Sequence, residues 1–190
     1  MRRAFFPWPW LALALLAAPA AWAGDILPLT ELAKPGRVLL LRHAYAPGTG
    51  DPPGFRLDDC ASQRNLDASG RAQASALGER LKRAGIARAR VYSSQWCRCR
   101  ETARLLQLGE VQPLPALNSF YGRAQERDAR VAALRSFLAA LAPDGVPVVM
   151  VTHQYTITAL TGAGTPSGGG SIFELNGSDT PRRIGAIEAD

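Results

Sequence analysis

Arg37-Val-Leu-Leu-Leu-Arg42-His43 is the stretch on which the fold turns. Four consecutive apolar residues bounded by arginines suit a strand covered on both faces, and polar residues appear only where it ends. The same design recurs far down the chain, where the β-branched and apolar run between Val146 and Thr152 delivers His153. These are the only two histidines in 190 residues. A third strand is expected at residues 90–93 and a short fourth at residues 111–114. Helical spacing predicts helices over residues 67–84, with Asp67 as N-cap and Gly85 as terminator, over residues 95–108, capped by Ser94, and over residues 123–141. Residues 156–160 read as a helical continuation, and residues 171–175 and 183–187 as edge strands. Strands alternating with helices imply an α/β fold, a three-layer sandwich around a mostly parallel sheet. Ligands of such sheets gather at the carboxyl ends of the strands.

Residues 1–23 read as an address and not as part of that fold. Arg2 and Arg3 form a basic start, Leu11 to Ala18 an apolar stretch, and Ala21-Trp22-Ala23 a cleavage site before Gly24. The uninterrupted apolar run falls short of the ~20 residues a spanning helix needs, and prolines break it. Cleavage after Ala23 would leave a single domain over residues 24–190, soluble and periplasmic or secreted, with no stable membrane insertion. It would also lower the formal charge of +6 by two. The remaining positive charge is spread along the chain and favours anionic ligands, without the dense basic block of a nucleic-acid surface.

Three cysteines, Cys60, Cys97 and Cys99, are an odd count for an oxidising compartment. One bridge from Cys60 to either Cys97 or Cys99 is expected, leaving one thiol. No histidine stands at ligand spacing from them, so no metal site is expected, and no cofactor.

Ser93-Ser94 at the end of the third strand, followed within a helical turn by Arg98, completes a set with Arg42, His43 and His153. Two planar guanidinium forks and two imidazoles near helix amino-termini suit a tetrahedral dianion, with phosphate the obvious candidate. Gly168-Gly169-Gly170 lacks the Lys-Ser/Thr of a phosphate-binding loop, and no Gly-x-Ser-x-Gly elbow occurs. The solvated face of the helix accounts for Arg100 and Arg104.

Leu41-Arg42-His43-Ala44, then Ser93-Ser94-Gln-Trp-Cys-Arg98-Cys-Arg-Glu-Thr102-Ala103, then Val151-Thr152-His153, in that order, resemble the signature segments of the histidine phosphatase superfamily, phosphoglycerate-mutase-like branch. Leu66-Asp67-Ala-Ser-Gly70-Arg-Ala-Gln73-Ala74 resembles that family's first helix opening. The resemblance implies a phosphoglycerate-mutase-like fold and an exported phosphatase acting on a small phosphorylated substrate. His43 would attack phosphorus to give a phosphohistidine, with Arg42, Arg98 and His153 around the phosphoryl group and His153 donating to it. Two departures stand out. Ala44 replaces the family's usual glycine, and Leu117-Asn118-Ser119-Phe120 stands where a proton-donating glutamate is common. Asp51 is the expected substitute acid, with Asp58, Asp59 and Glu126 as alternatives, and before Pro52-Pro53 it reads equally as a turn residue. A protein phosphohistidine phosphatase and a catalytically impaired phosphate-binding or envelope-interaction module are the competing readings.

Overall fold

In β1 (Arg37–Arg42), alternate side chains enter different cores, which is what a strand buried on both faces demands. Leu39 and Leu41 join one apolar cluster, and Val38 and Leu40 the other. β4 (Val148–Thr152) repeats the division, with Val149 and Val151 on the first side and Val148 and Met150 on the second. The computed structural model describes residues 26–143 and 145–189. The leader expected at residues 1–23 lies outside them. None of the described helices is long and apolar enough to cross a membrane.

The sheet has six strands in the order β3-β2-β4-β1-β5-β6. β2 (Arg90–Ser93) pairs in parallel with β3 (Val111–Pro113) and with β4, and β4 pairs in parallel with β1. β5 (Gly170–Glu174) and β6 (Arg182–Ile187) add an antiparallel hairpin beyond β1. α1 (Ala68–Arg83) and α2 (Cys97–Leu105) cover one face; α3 (Arg127–Ala139) and α4 (Gln154–Thr161) cover the other. The three-layer α/β architecture is the one the sequence implies.

Two expectations need correction. Only β6 of the terminal pair is an edge strand. β5 lies between β1 and β6, and Ile172 and Phe173 reach opposite cores, so its apolar run serves both faces. α2 begins at Cys97 rather than Gln95: the Ser94 hydroxyl meets His153 at 2.9 Å and accepts from the Trp96 N–H only at 3.4 Å, while the Cys97 N–H donates to Gln63 Oε1 at 2.9 Å. Asp67 caps α1 as expected, its Oδ1 accepting from the Gly70 N–H at 2.8 Å. Gly70 is required for another reason. A Cβ there would lie 1.9 Å from the Tyr45 carbonyl oxygen, so the glycine lets the loop after β1 rest directly on the helix start.

Cys60 is bonded to Cys97, with Cα atoms 5.7 Å apart, and Cys99 is a buried free thiol. The bridge pins the long loop after β1 to the first turn of α2, both of which border the site.

Candidate active site

Three parallel strands end side by side, and each hands its next residues to one cleft. β1 supplies Arg42 and His43, β4 supplies His153, and β2 leads through Ser93-Ser94 to Arg98 on α2. The cleft has a volume of about 460 Å³, and Arg42, His43, Arg98 and His153 all line it. The structure therefore brings together the four residues singled out from sequence, at the carboxyl edge where α/β sheets bind ligands.

His43 is 2% exposed and held at two points. Its backbone N–H donates to the Thr152 carbonyl at 2.9 Å, and its Nδ1 lies 2.7 Å from the Ala44 carbonyl. A carbonyl oxygen only accepts, so Nδ1 carries the ring proton and Nε2 keeps its lone pair. Burial pushes the imidazole pKa down to about 3, and the charges of Arg98, Arg64 and Arg42 push the same way while the Ala44 carbonyl opposes them. The ring is neutral at physiological pH. Ala44 fits where a glycine is usual, because Gln107 is the only non-glycine with positive φ among the described residues. Its N–H donates to Thr102 Oγ1 at 3.0 Å, which in turn donates to the Arg98 carbonyl at 2.7 Å. That relay ties the loop after His43 to the helix bearing Arg98.

His153 packs with ring centroids 5.5 Å from His43 and 5.2 Å from Trp96, both edge-on. Its Nε2 meets Ser94 Oγ at 2.9 Å and Cys99 Sγ at 3.4 Å. Ser94 Oγ also lies 3.2 Å from Asn118 Oδ1, and that oxygen accepts from the Gln95 N–H at 2.9 Å. Burial and then Arg98 hold the His153 pKa well below the ordinary histidine value. The expectation of a donating His153 thus narrows to a neutral ring without bound anion, one that an incoming dianion would favour in its protonated form.

Arg98 forms a bidentate ion pair with Asp51. Its Nη1 reaches Oδ1 at 2.7 Å and its Nη2 reaches Oδ2 at 3.2 Å, both side chains being nearly buried. Asp51 accepts two further bonds, from the Trp96 indole at 2.9 Å and the Arg64 backbone N–H at 3.1 Å. Burial alone would raise its pKa, but the Arg98 bond and charge, with Trp96 and Arg64, outweigh that and hold it below the usual carboxylate value. Asp51 is therefore an ionised acceptor four times over, the wrong protonation state for a general acid at neutral pH. The expected proton-donor role is corrected to one of orienting Arg98.

None of the other acids takes that place. Asp58 and Asp59 pair with Arg56, and Glu126 with Arg123 and Arg130. Asp51 is the one carboxylate among the described residues lining the cleft. Asn118 is buried, and its amide donates to Gln95 Oε1 at 2.7 Å.

Two buried guanidinium donors, Arg42 Nε and Arg98 Nε, have no acceptor among the described residues. Buried donors of this kind mark where an anion or water completes the bonding. Arg42 is otherwise tethered through Nη1 to the Thr165 carbonyl at 2.7 Å. Sequence reasoning missed Arg64, whose Nε and Nη1 brace the loop by donating to the Gly50 and Ala46 carbonyls at 2.7 and 2.5 Å. It also missed Trp96, Tyr121 and Tyr155 in the cleft wall. Trp96 could have been noticed within the Ser94-to-Arg98 segment; nothing in the pattern marked the tyrosines.

Residues 38–127 match the family described as the histidine phosphatase superfamily, branch 1. Among solved structures, the protein histidine phosphatase SixA complexed with tungstate is similar at a TM-score of 0.59 and 20% identity, covering 80% of this chain and 97% of that one. A phosphohistidine phosphatase SixA from Agrobacterium tumefaciens gives 0.57 and 24%, covering 83% and 100%. A mycobacterial glucosyl-3-phosphoglycerate phosphatase gives 0.55 and 19%, covering 73% and 92%. Comparison with curated protein sequences finds no match.

Proposed function

The chain belongs to the histidine phosphatase superfamily, and from that premise we propose that it hydrolyses a phosphomonoester through a phosphohistidine on His43. The observation that carries this reading is the His43 ring itself. It is neutral, locked by its Nδ1–H to the Ala44 carbonyl, and keeps an Nε2 lone pair in a cleft shared with two arginines and a second histidine. Nε2 attacks phosphorus while the bond to the leaving group breaks. Water then attacks the phosphohistidine, releasing inorganic phosphate and restoring the neutral ring. Arg42, Arg98 and His153 meet charge on the equatorial oxygens, so positioning and electrostatics supply most of the rate. Asp51 fixes the Arg98 fork in advance.

The leaving group departs without a carboxylic acid from the protein, since Asp51 is ionised. Substrates that need little protonation are favoured: acidic alcohols, or a phosphorylated ring nitrogen. That last class supports a second reading, a protein phosphohistidine phosphatase, as the two SixA structures are described. Residues 1–23 and the Cys60–Cys97 bridge support an exported, oxidising location. Phosphorelay proteins are usually intracellular, so we place a small exported phosphoester first.

Incubation with a labelled phosphomonoester followed by rapid quench tests the proposal. Acid-labile, base-stable label that is absent from His43→Ala is expected. No covalent label and no turnover across sugar, nucleotide, aryl and peptide phosphates would leave a phosphate-binding module instead.

A further inference from the structure

Phosphoryl transfer uses the deep end of the cleft and leaves its mouth without a task. That mouth is built of rings. Tyr121 and Tyr155 line it with centroids 5.1 Å apart, and Phe55, 5.6 Å from the buried Trp96 ring, lines the same cleft. The two tyrosines are 47% and 49% exposed, among the few large apolar side chains the described surface shows to water. Neither hangs free. Buried Phe120 stacks edge-on against Tyr155 at 6.3 Å. The loop after β1 rests against Tyr121, and it does so through Gly50, at φ +72, where a Cβ would come within 3.2 Å of Tyr121 Cε1.

The charges around these rings are cationic. Arg64 and Arg123 line the cleft, the latter 5.5 Å from the Trp96 ring centre. The one lining carboxylate, Asp51, has both oxygens committed to Arg98, Trp96 and the Arg64 amide. A polyol would find no free carboxylate here for its hydroxyls. A flat π-system would find ring faces and edges within reach of the phosphoryl site.

We propose that the mouth, centred on Tyr121 and Tyr155, is a leaving-group subsite for a planar aromatic ring bonded to the phosphoryl group, carbocyclic or heterocyclic, in preference to a sugar or alkyl phosphate. The inference rests on the phosphatase reading, and it agrees with a cleft whose one lining carboxylate, Asp51, is ionised. Phenolic and heteroaromatic leaving groups depart more readily unprotonated than alkoxides do.

Turnover rates would mix ring recognition with leaving-group acidity, so non-hydrolysable phosphonates are the appropriate probes. Calorimetric titration with phenyl-, pyridyl- and cyclohexylphosphonate compares two planar rings with a puckered one of similar size. One or both planar rings should bind about five- to tenfold tighter than cyclohexyl, the scale of favourable ring–ring contacts. Which of the two leads separates an aryl from a heteroaromatic source. Tyr121→Ala and Tyr155→Ala should remove most of that preference while inorganic phosphate binding is retained; Tyr121→Phe should keep it. Equal binding of planar and puckered rings, no phosphonate binding, or loss of inorganic phosphate binding in step with the rings would overturn the proposal. A persistent ring preference without label on His43 would instead sink the phosphatase reading and leave the subsite standing.

Discussion

The deep end of the cleft and its mouth are built in different ways. Arg42, His43 and His153 stand at the ends of parallel strands whose side chains fill both cores, so their positions follow from the sheet. Asp51, Arg64, Tyr121 and Tyr155 stand on loops and at a helix start, held by long-range bonds and ring contacts. The first region holds two guanidinium groups and a neutral His43 imidazole in a buried place. The second meets solvent and whatever is attached to the phosphate. On the proposed reading, the sheet fixes the chemistry, and the loops set selectivity by what they bring to its edge.

The sharpest break between the two regions is His43→Ala, which should lower turnover by ~10⁴-fold, as removal of a nucleophile commonly does. Loss of a mouth tyrosine should leave covalent labelling intact. Residual turnover near wild type in His43→Ala would place the nucleophile elsewhere.

Next in size is the bridge that anchors the loop region. Cys60 and Cys97 are 37 residues apart, and chain-entropy arithmetic assigns such a closure roughly 4 kcal/mol. Paired Cys60→Ser and Cys97→Ser substitution should lower the denaturant midpoint accordingly. An unchanged midpoint would show that loop packing alone holds the mouth in place.

Asp51→Asn should reduce kcat/KM by about 10- to 100-fold, because Arg98 loses its charge-assisted bidentate partner. The reduction should be equal for alkyl and aryl phosphates. Selective slowing of poor leaving groups would restore the proton-donor role that the ion pair argues against.

Smallest is a pH effect confined to the deep end. The His43 pKa is about 6.5 in an unfolded chain and is pushed down to about 3 in the fold, and His153 is lowered too. The unfolded state binds these protons first, so stability is greatest above pH 6.5 and falls as pH drops toward 3. The slope is at most ~1.4 kcal/mol per pH unit for each histidine. With two histidines in the chain, denaturation between pH 6 and 5 reads this pair, and His43→Gln should flatten the slope. A flat wild-type profile would mean the rings are solvated.

What was legible from sequence follows the same division. Arg37 to His43 and Val146 to His153 announce both a doubly covered strand and a histidine at its end, because burial on both faces leaves the first polar residues only one place to go. Ser94 carried the right signal with the wrong consequence. Its hydroxyl suits an N-cap, yet it bonds His153, a residue 59 positions away that no local rule connects to it. Asp51 before Pro52-Pro53 reads as a turn residue or an acid with equal ease; the Arg98 fork 47 positions on decides that it is neither free nor protonated. The choice between Cys97 and Cys99 likewise needed the start of α2, since two helical positions separate the thiol that faces the loop from the one that enters the core.

On the proposed mechanism, the Ala44 carbonyl holds the Nδ1–H of His43 and leaves Nε2 to attack phosphorus. Phosphorus and proton NMR of the trapped phosphoenzyme, prepared with a rapidly transferring phosphoester, identifies the phosphorylated nitrogen. Phosphate on Nε2 of His43 is the predicted result; phosphate on Nδ1, or on His153, would contradict it.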